Sequence, residues 1–382
     1  MSKIPNKILL TTVFIVFCTF ASFSHAAEKH KPLFDSAQPK ILLTIPSPDN
    51  FSFWLRVKQF AQVVSDSLGA QLQVYTFKPD ERNRFVYSSV LEKIIESDSK
   101  PDFIIGMFWM HGESKLLETI ESHQIPLISF NSSLSQQQFK TIGSPGEKYK
   151  YWLAHISPDD RATGAAQAHL LAANLPINIP ANMLAIAGDQ TSTPGINRVQ
   201  GLHNNIKLEK RINLLQLVHT DWSSYTAKMK MEHLLKRFDH DRVKLLWTAG
   251  DYIALGAIEA IEQHGLQAGK DILVSGIDWN KESFALIKSG KMTLSLGGHF
   301  IEAGKAIILA YDHLHGIDFT ENFGIDIKTT MNIMNQKNVE YIESKLTQAH
   351  WQTLDFKHLS KKHNPQLKRY HLTLNDLLQL EQ

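Results

Sequence analysis

An alternation of short apolar runs with amphipathic stretches, played through twice between Lys40 and Ile277, constrains this chain more than any other feature. Ile41-Leu42-Leu43-Thr44-Ile45 is a continuous apolar run stopped by Pro46 and Pro48, the pattern of a strand buried on both faces. Trp54, Leu55, Val57, Phe60, Ala61, Val64 and Leu68 then recur at spacings of three and four, which predicts an amphipathic helix ended by Gly69. Strands are predicted at 71–77, 102–106 and 126–130, with helices over 86–95 and 115–122. A loop rich in Ser, Gln, Gly and Pro is expected from Asn131 to about Pro158. The rhythm then restarts, with helices over 163–174, 195–206, 223–238 and 254–264 and strands at 183–187, 213–218, 243–248 and 272–277. Alternation of this kind implies right-handed crossovers between parallel strands and sheets covered on both faces. The expected fold class is α/β: two doubly wound parallel-sheet lobes joined by a hinge of crossover strands. The expected boundaries are 27–157 plus 299–330 for an N-terminal lobe, 158–298 for a C-terminal lobe, and 331–382 for an extension.

The N-terminus carries a different signal. Lys3 and Lys7 precede an apolar run from Ile8 to Phe23, and Ser24-His25-Ala26 places small residues where a signal peptidase reads. The run is shorter than the roughly 20 residues of a membrane span. Residues 1–26 are therefore expected to be a cleaved signal peptide and the mature chain to be periplasmic. The single cysteine, Cys18, lies inside that segment, so no disulfide is expected in the mature protein. About 356 residues would remain (382 minus 26), enough for two domains. Removing Lys3 and Lys7 from a chain of net charge +2 leaves a balance near zero, which gives no long-range attraction to nucleic acid.

In open parallel sheets, ligands bind beyond the carboxyl ends of the strands. The segments there are Ser47 to Trp54 (with Asp49, Phe53 and Trp54), Met107 to Trp109, Asn131-Ser132, Gly188 to Arg198, Ala249 to Asp251, and Asp278-Trp279. They are rich in aromatics, amides and carboxylates.

Several of these segments resemble the type I periplasmic binding proteins, the family of ribose and galactose receptors. Pro48-Asp49-Asn50-Phe51-Ser52-Phe53-Trp54 is similar to the family's Asn-Pro-Phe-Phe segment, and Ile125 to Asn131 to its "Ile-Pro-Val-Val-x-x-Asp" strand end. Ser157 to Gly164 is similar to the opening of the second lobe's first helix, and Asn197 to Leu202 to the Arg-x-x-Gly-Phe pattern. Thr248 to Ala257 is similar to the "Asn-Asp-x-x-Ala-Leu-Gly-Ala" turn, Ser275 to Trp279 to "Gly-Phe-Asp", and Lys288 to Thr293 to the strand leading back to the first lobe. Within the family, Phe53-Trp54-Leu55-Arg56, Lys100 to Ile105, Asn131 and Trp279 look like the periplasmic autoinducer-2 receptor and relatives that work with a membrane sensor. Gly298 and His299 stand where that receptor carries arginine for its ligand.

The resemblance implies a ligand held between lobes. Phe53 and Trp54, with Trp109 and Trp279, would offer flat faces to the C–H side of a sugar-like ring. Asp251 and Asp278 would accept hydrogen bonds, Arg198 would donate, Asn131 would do both, and Asp49 and His299 complete the candidates. Other readings stand beside these: Trp54 in a helix core, Arg198 bracing its lobe, and Asp251 or Asp278 capping the helices that follow them. The expected function is a solute-binding protein that delivers its ligand to an ABC-type importer, or a co-receptor for a membrane sensor kinase or cyclase, and not an enzyme. No nucleophile with a neighbouring base is legible, and Asp239-His240-Asp241 and His313-Leu314-His315 lack a nearby third ligand for a metal. A monomer without cofactor is expected. The stretch 350–382 reads as a strap on one lobe or as a docking surface.

Overall fold

The computed structural model describes residues 38–48, 53–81, 83–108, 112–239 and 242–380. The expected signal segment, Asp49, Trp109, His240 and Asp241 lie outside the described residues.

The N-terminal lobe runs β1 (Lys40–Pro46), α1 (Phe53–Leu68), β2 (Gln71–Phe77), α2 (Arg84–Ile95), β3 (Phe103–Gly106), α3 (Glu113–His123), β4 (Leu127–Phe130), α4 (Gln136–Ile142) and β5 (Trp152–Pro158). The second lobe runs α5 (Asp160–Ala173), β6 (Ala181–Ala187), α6 (Thr193–Leu208), β7 (Ile212–His219), α7 (Ser224–Arg237), β8 (Leu245–Thr248), α8 (Asp251–Gln263), β9 (Leu273–Ile277), α9 (Lys281–Lys288) and β10 (Leu294–Gly297). The chain returns through α10 (Glu302–Leu314) and β11 (Asp326–Thr329) to the first lobe, then crosses once more to β12 (Asn332–Asn335).

Each lobe is a six-stranded sheet, ordered β2-β1-β3-β4-β5-β11 and β7-β6-β8-β9-β10-β12. Every pairing is parallel except β10 with β12. Two doubly wound α/β lobes are thus present as the alternation of apolar runs requires. Central strands such as β3 and β8 are buried along their whole length, because helices cover both faces. The chain passes between lobes three times, at 158–160, 297–302 and 329–332. Asp159 donates its backbone N–H to the Thr329 carbonyl at 3.0 Å, which ties two of these passages together.

Two expectations need correction. The segment 131–158 is not a plain loop: it holds α4, with a capping box between Ser135 and Gln138, and the buried strand β5. Residues 332–335, placed in the extension by the sequence reading, join the second lobe's sheet.

Helix α10 is buried on nearly every side, and Ala303, Ala306, Ile307, Ile308, Leu309 and Ala310 are all fully buried. Such a helix needs cover on two sides. Strands of the first lobe supply one, and the chain beyond 345 supplies the other: Trp351 and Phe356 pack with Phe60 and Phe300 at ring-centroid distances of 5.2–5.7 Å. Asp312, on the same helix, accepts hydrogen bonds from Ser360 Oγ, Lys361 N, Lys362 N and Tyr370 Oη.

Candidate ligand-binding cleft

A cavity of about 860 Å³ opens where the carboxyl ends of the two sheets face each other. Its first-lobe wall is aromatic. Phe53 and Trp54, at the start of α1, meet edge to face at 5.0 Å, and Trp54 meets Phe130 at 6.3 Å. Phe53 also stacks on His299 from the hinge segment, 4.5 Å between centroids. Asn131, Ser132 and Ser133 follow β4 along the same wall.

The second-lobe wall is built around Trp222 and Arg198. A Cβ on Gly188 would stand 2.3 Å from the Trp222 ring, so that glycine makes the seat for the indole, while Gly250 lies at ordinary contact distance from it. The Arg198 guanidinium lies 5.7 Å from the ring centroid. Arg198 donates from Nε to Asp160 at 2.7 Å and from Nη1 to the Ala249 carbonyl at 2.7 Å, and reaches Asp278 at 3.5 Å. Burial works against its charge, but Asp160 and Asp278 outweigh that and raise its pKa. A pair this deeply buried is costly unless well bonded, and the Nε and Nη1 contacts offset part of that cost.

Where Arg198 sits is decided by two glycines. A Cβ on Gly164 of α5 would stand 2.1 Å from the Arg198 carbonyl, and one on Gly201 of α6 2.1 Å from the Arg161 carbonyl. The helices therefore cross in backbone contact, which brings Arg198 to Asp160.

Six non-glycine residues have positive φ among those described, and four follow strands at this end of the sheets: Asn131 (63°), Trp222 (71°), Asp278 (117°) and Trp279 (57°). Backbone in this region is strained for L-residues and persists where surrounding bonds hold it. Asp278, for example, is tied by its N–H to the Leu296 carbonyl at 2.8 Å.

Of the candidates read from the sequence, Phe53, Trp54, Asn131, Arg198, Asp278 and His299 line the cavity. Asp251 and Trp279 do not. Asp251 is 3% exposed and accepts from Ser295 Oγ and Asn280 N, each at 2.8 Å, so its oxygens are spent inside the lobe. Trp279 is fully buried and donates Nε1–H to the Ser295 carbonyl at 3.1 Å. Its own carbonyl accepts from Arg56 Nη1 of the first lobe, a bond that spans the two lobes near the hinge. Sequence reasoning missed Trp222 and Ser133. The segment after β7 obeys the same rule as the others and contains Thr220-Asp221-Trp222, so the signal was present.

This geometry defines a two-lobed α/β protein with an interlobe ligand cleft. The family profile described as a periplasmic binding protein domain matches residues 41–317, and the chain belongs to that family, in its type I group of ribose and galactose receptors. It is 26% identical over 204 residues to the ribose import binding protein RbsB of Bacillus subtilis (strain 168), covering 53% of this chain and 59% of that protein. It is 26% identical over 118 residues to the galactofuranose-binding protein YtfQ of Escherichia coli (strain K12), covering 31% and 37%. The matches thus span less than two thirds of those relatives' own length. A periplasmic sugar-binding protein from Pseudomonas fluorescens superposes with a TM-score of 0.77 at 23% identity, over 89% of this chain and 99% of that one. A solute-binding protein from Actinobacillus succinogenes 130z, solved with bound D-allose, gives 0.69 at 18% identity, over 80% and 100%. Among the described residues no helix is long and apolar enough to cross a membrane.

Proposed function

We propose that this chain is a periplasmic solute-binding protein that closes on one small, uncharged, sugar-like molecule and hands it to an ABC-type importer. One observation carries the reading: Trp54 from the first lobe and Trp222 from the second line a single cavity whose polar groups include Asn131, Arg198 and Asp278. Indole faces suit the C–H side of a sugar ring, while the amide and charged groups suit its hydroxyls. The relatives' roles in ribose import and galactofuranose binding support it. Hinge closure about the three interlobe passages would present the closed form to the permease. Residues 1–26 would direct export and be removed before Ala27.

The lining also argues for a ligand without negative charge. Glu113, Asp189, Asp221 and Asp278 face the cavity, while Arg198 is already matched by Asp160 and Asp278. Sugar phosphates and sugar acids would meet like charge with no free cation among the described lining residues, which disfavours them.

A thermal-shift and calorimetric panel of neutral aldoses in furanose and pyranose forms, polyols, and sugar phosphates tests this. A neutral sugar should raise the melting temperature by mass action and be recovered unchanged, and the phosphates should not bind. Binding of the phosphates alone would overturn the reading. Uptake of the bound sugar in a strain lacking this chain separates the partners: lost uptake fits an importer, whereas intact uptake with a lost transcriptional response fits a membrane sensor.

A further inference from the structure

A buried relay of hydrogen bonds runs from the interior of the first lobe to the cleft. Trp152 Nε1 donates to Ser129 Oγ at 2.8 Å. Ser129 Oγ lies 2.9 Å from His155 Nδ1, and His155 Nε2 lies 3.0 Å from Ser133 Oγ. Ser133 lines the cavity, and its backbone N–H donates to Thr193 Oγ1 of the second lobe at 2.8 Å. His155 is buried, and burial, helped by the charge of Lys328, pushes its pKa down to about 3, so the imidazole is neutral. A neutral imidazole has one nitrogen that donates and one that accepts.

The direction of the relay follows from its first member. An indole N–H can only donate, so Ser129 must accept from Trp152. The single Ser129 hydroxyl hydrogen then has two destinations: His155 Nδ1 at 2.9 Å or the Ala154 carbonyl at 3.5 Å. The shorter contact is the stronger. Giving that hydrogen to Nδ1 makes Nδ1 the acceptor and leaves the imidazole hydrogen on Nε2. Nε2–H then donates to Ser133 Oγ, and the Ser133 hydroxyl hydrogen is left to point elsewhere.

We propose that Ser133 is a specificity-determining residue whose hydroxyl is polarised by the Trp152–Ser129–His155 relay to act as a hydrogen-bond donor into the cleft. The ligand atom opposite it is an acceptor: a hydroxyl, ring, carbonyl or ether oxygen. An ammonium group at that position, which has only hydrogens to offer, is rejected. This rests on the sugar-binding reading for its ligand, but the relay itself does not.

The test reads the tautomer directly. In the 15N-histidine-labelled full mature protein, long-range proton–nitrogen correlation spectra should show His155 with a bare Nδ1 and a protonated Nε2, without titration between pH 5 and 8. The His155 signals are assigned by their loss in His155→Gln, or by the Nε2 shift change in Ser133→Ala should that variant not fold. Ser133→Ala should keep the same tautomer, and Ser129→Ala should release it to a mixture. A protonated Nδ1 in the wild-type protein, or titration in that range, overturns the proposal. D-Ribose and D-galactose, titrated into wild type and Ser133→Ala, read the consequence: the sugar bound by wild type should bind about tenfold more weakly to the variant, and equal affinity overturns the specificity role. Binding of neither sugar would count against these as ligands, while the tautomer still decides the relay.

Discussion

Asp278 carries the titration that matters to the cleft. Burial pushes its carboxyl up to about 7, against the pull of Arg198, and Asp160 adds to the rise. Behind it burial, then Asp278 itself, pushes Asp251 up to about 8. His299, 3.6 Å away, is held neutral by burial and by Arg198. If a ligand hydroxyl donates to the Asp278 carboxylate, affinity should fall below about pH 7, by up to about tenfold per pH unit for one proton. Stability moves the other way. The folded state keeps a proton that the unfolded chain releases near pH ~4, so this carboxyl's contribution declines as pH rises from about 4 to about 7. Asp278→Asn should abolish the pH slope of affinity, and Asp278→Ala should weaken binding by roughly tenfold or more, both read by calorimetry. Trp54→Ala and Trp222→Ala should each remove part of the ligand-induced fluorescence change, and the double variant nearly all of it. Phe53, Trp54, Asn131, Arg198 and Asp278 were legible because they follow strands in an open parallel sheet. Asp251 and Trp279 obey the same rule yet turn inward. The left-handed backbone at Asp278 and Trp279, and the Ser295 partner from β10, decide that orientation, and neither is written in the local sequence.

The α5–α6 crossing shows how an element places a side chain it does not contain. Gly201→Ala would drive a methyl against the Arg161 carbonyl and force the helices apart. Overpacking of this kind costs about 1–3 kcal/mol. The expected outcome is a lower midpoint in thermal denaturation together with weaker ligand binding, since Arg198 would leave Asp160. A stability loss with unchanged affinity would show that Arg198 braces the lobe without shaping the cleft. Strand β5 is the element the sequence concealed. His155 and Ser157 interrupt its apolar run, and they are tolerated because Ser129, Ser133 and Lys328 answer them from elsewhere in the chain. Partners so distant leave no periodicity to read.

At the scale of the molecule, two lobes were legible from alternation, whereas the return to the first lobe was read from the resemblance and the crossing to 332–335 was missed; the last fifty residues were read only as a strap or a docking surface. The segment beyond 345 is a second cover for α10, anchored where Asp312 gathers four donors from the tail. Asp312→Ala should cost about 3 kcal/mol or more, since hydrogen bonds to a buried charge are worth about 1.5–3 kcal/mol each. That corresponds to a fall in Tm of roughly 6–12 °C by differential scanning calorimetry. Truncation before Gln348 should expose Phe60 and Phe300 and yield an aggregating protein.

The tail ends beside the joint about which the lobes would move: Leu374 stands so near Gly298 (φ 102°) that a Cβ there would lie 2.6 Å from its Cδ2. Residues 27–382 contain no thiol. In a protein made as residues 27–382, a cysteine introduced at the exposed Gln379 would be the sole attachment point for an environment-sensitive dye, five residues along the tail from Leu374 and outside the lining of the cleft. The molecule comes ready to be converted into an optical sensor for whatever it captures.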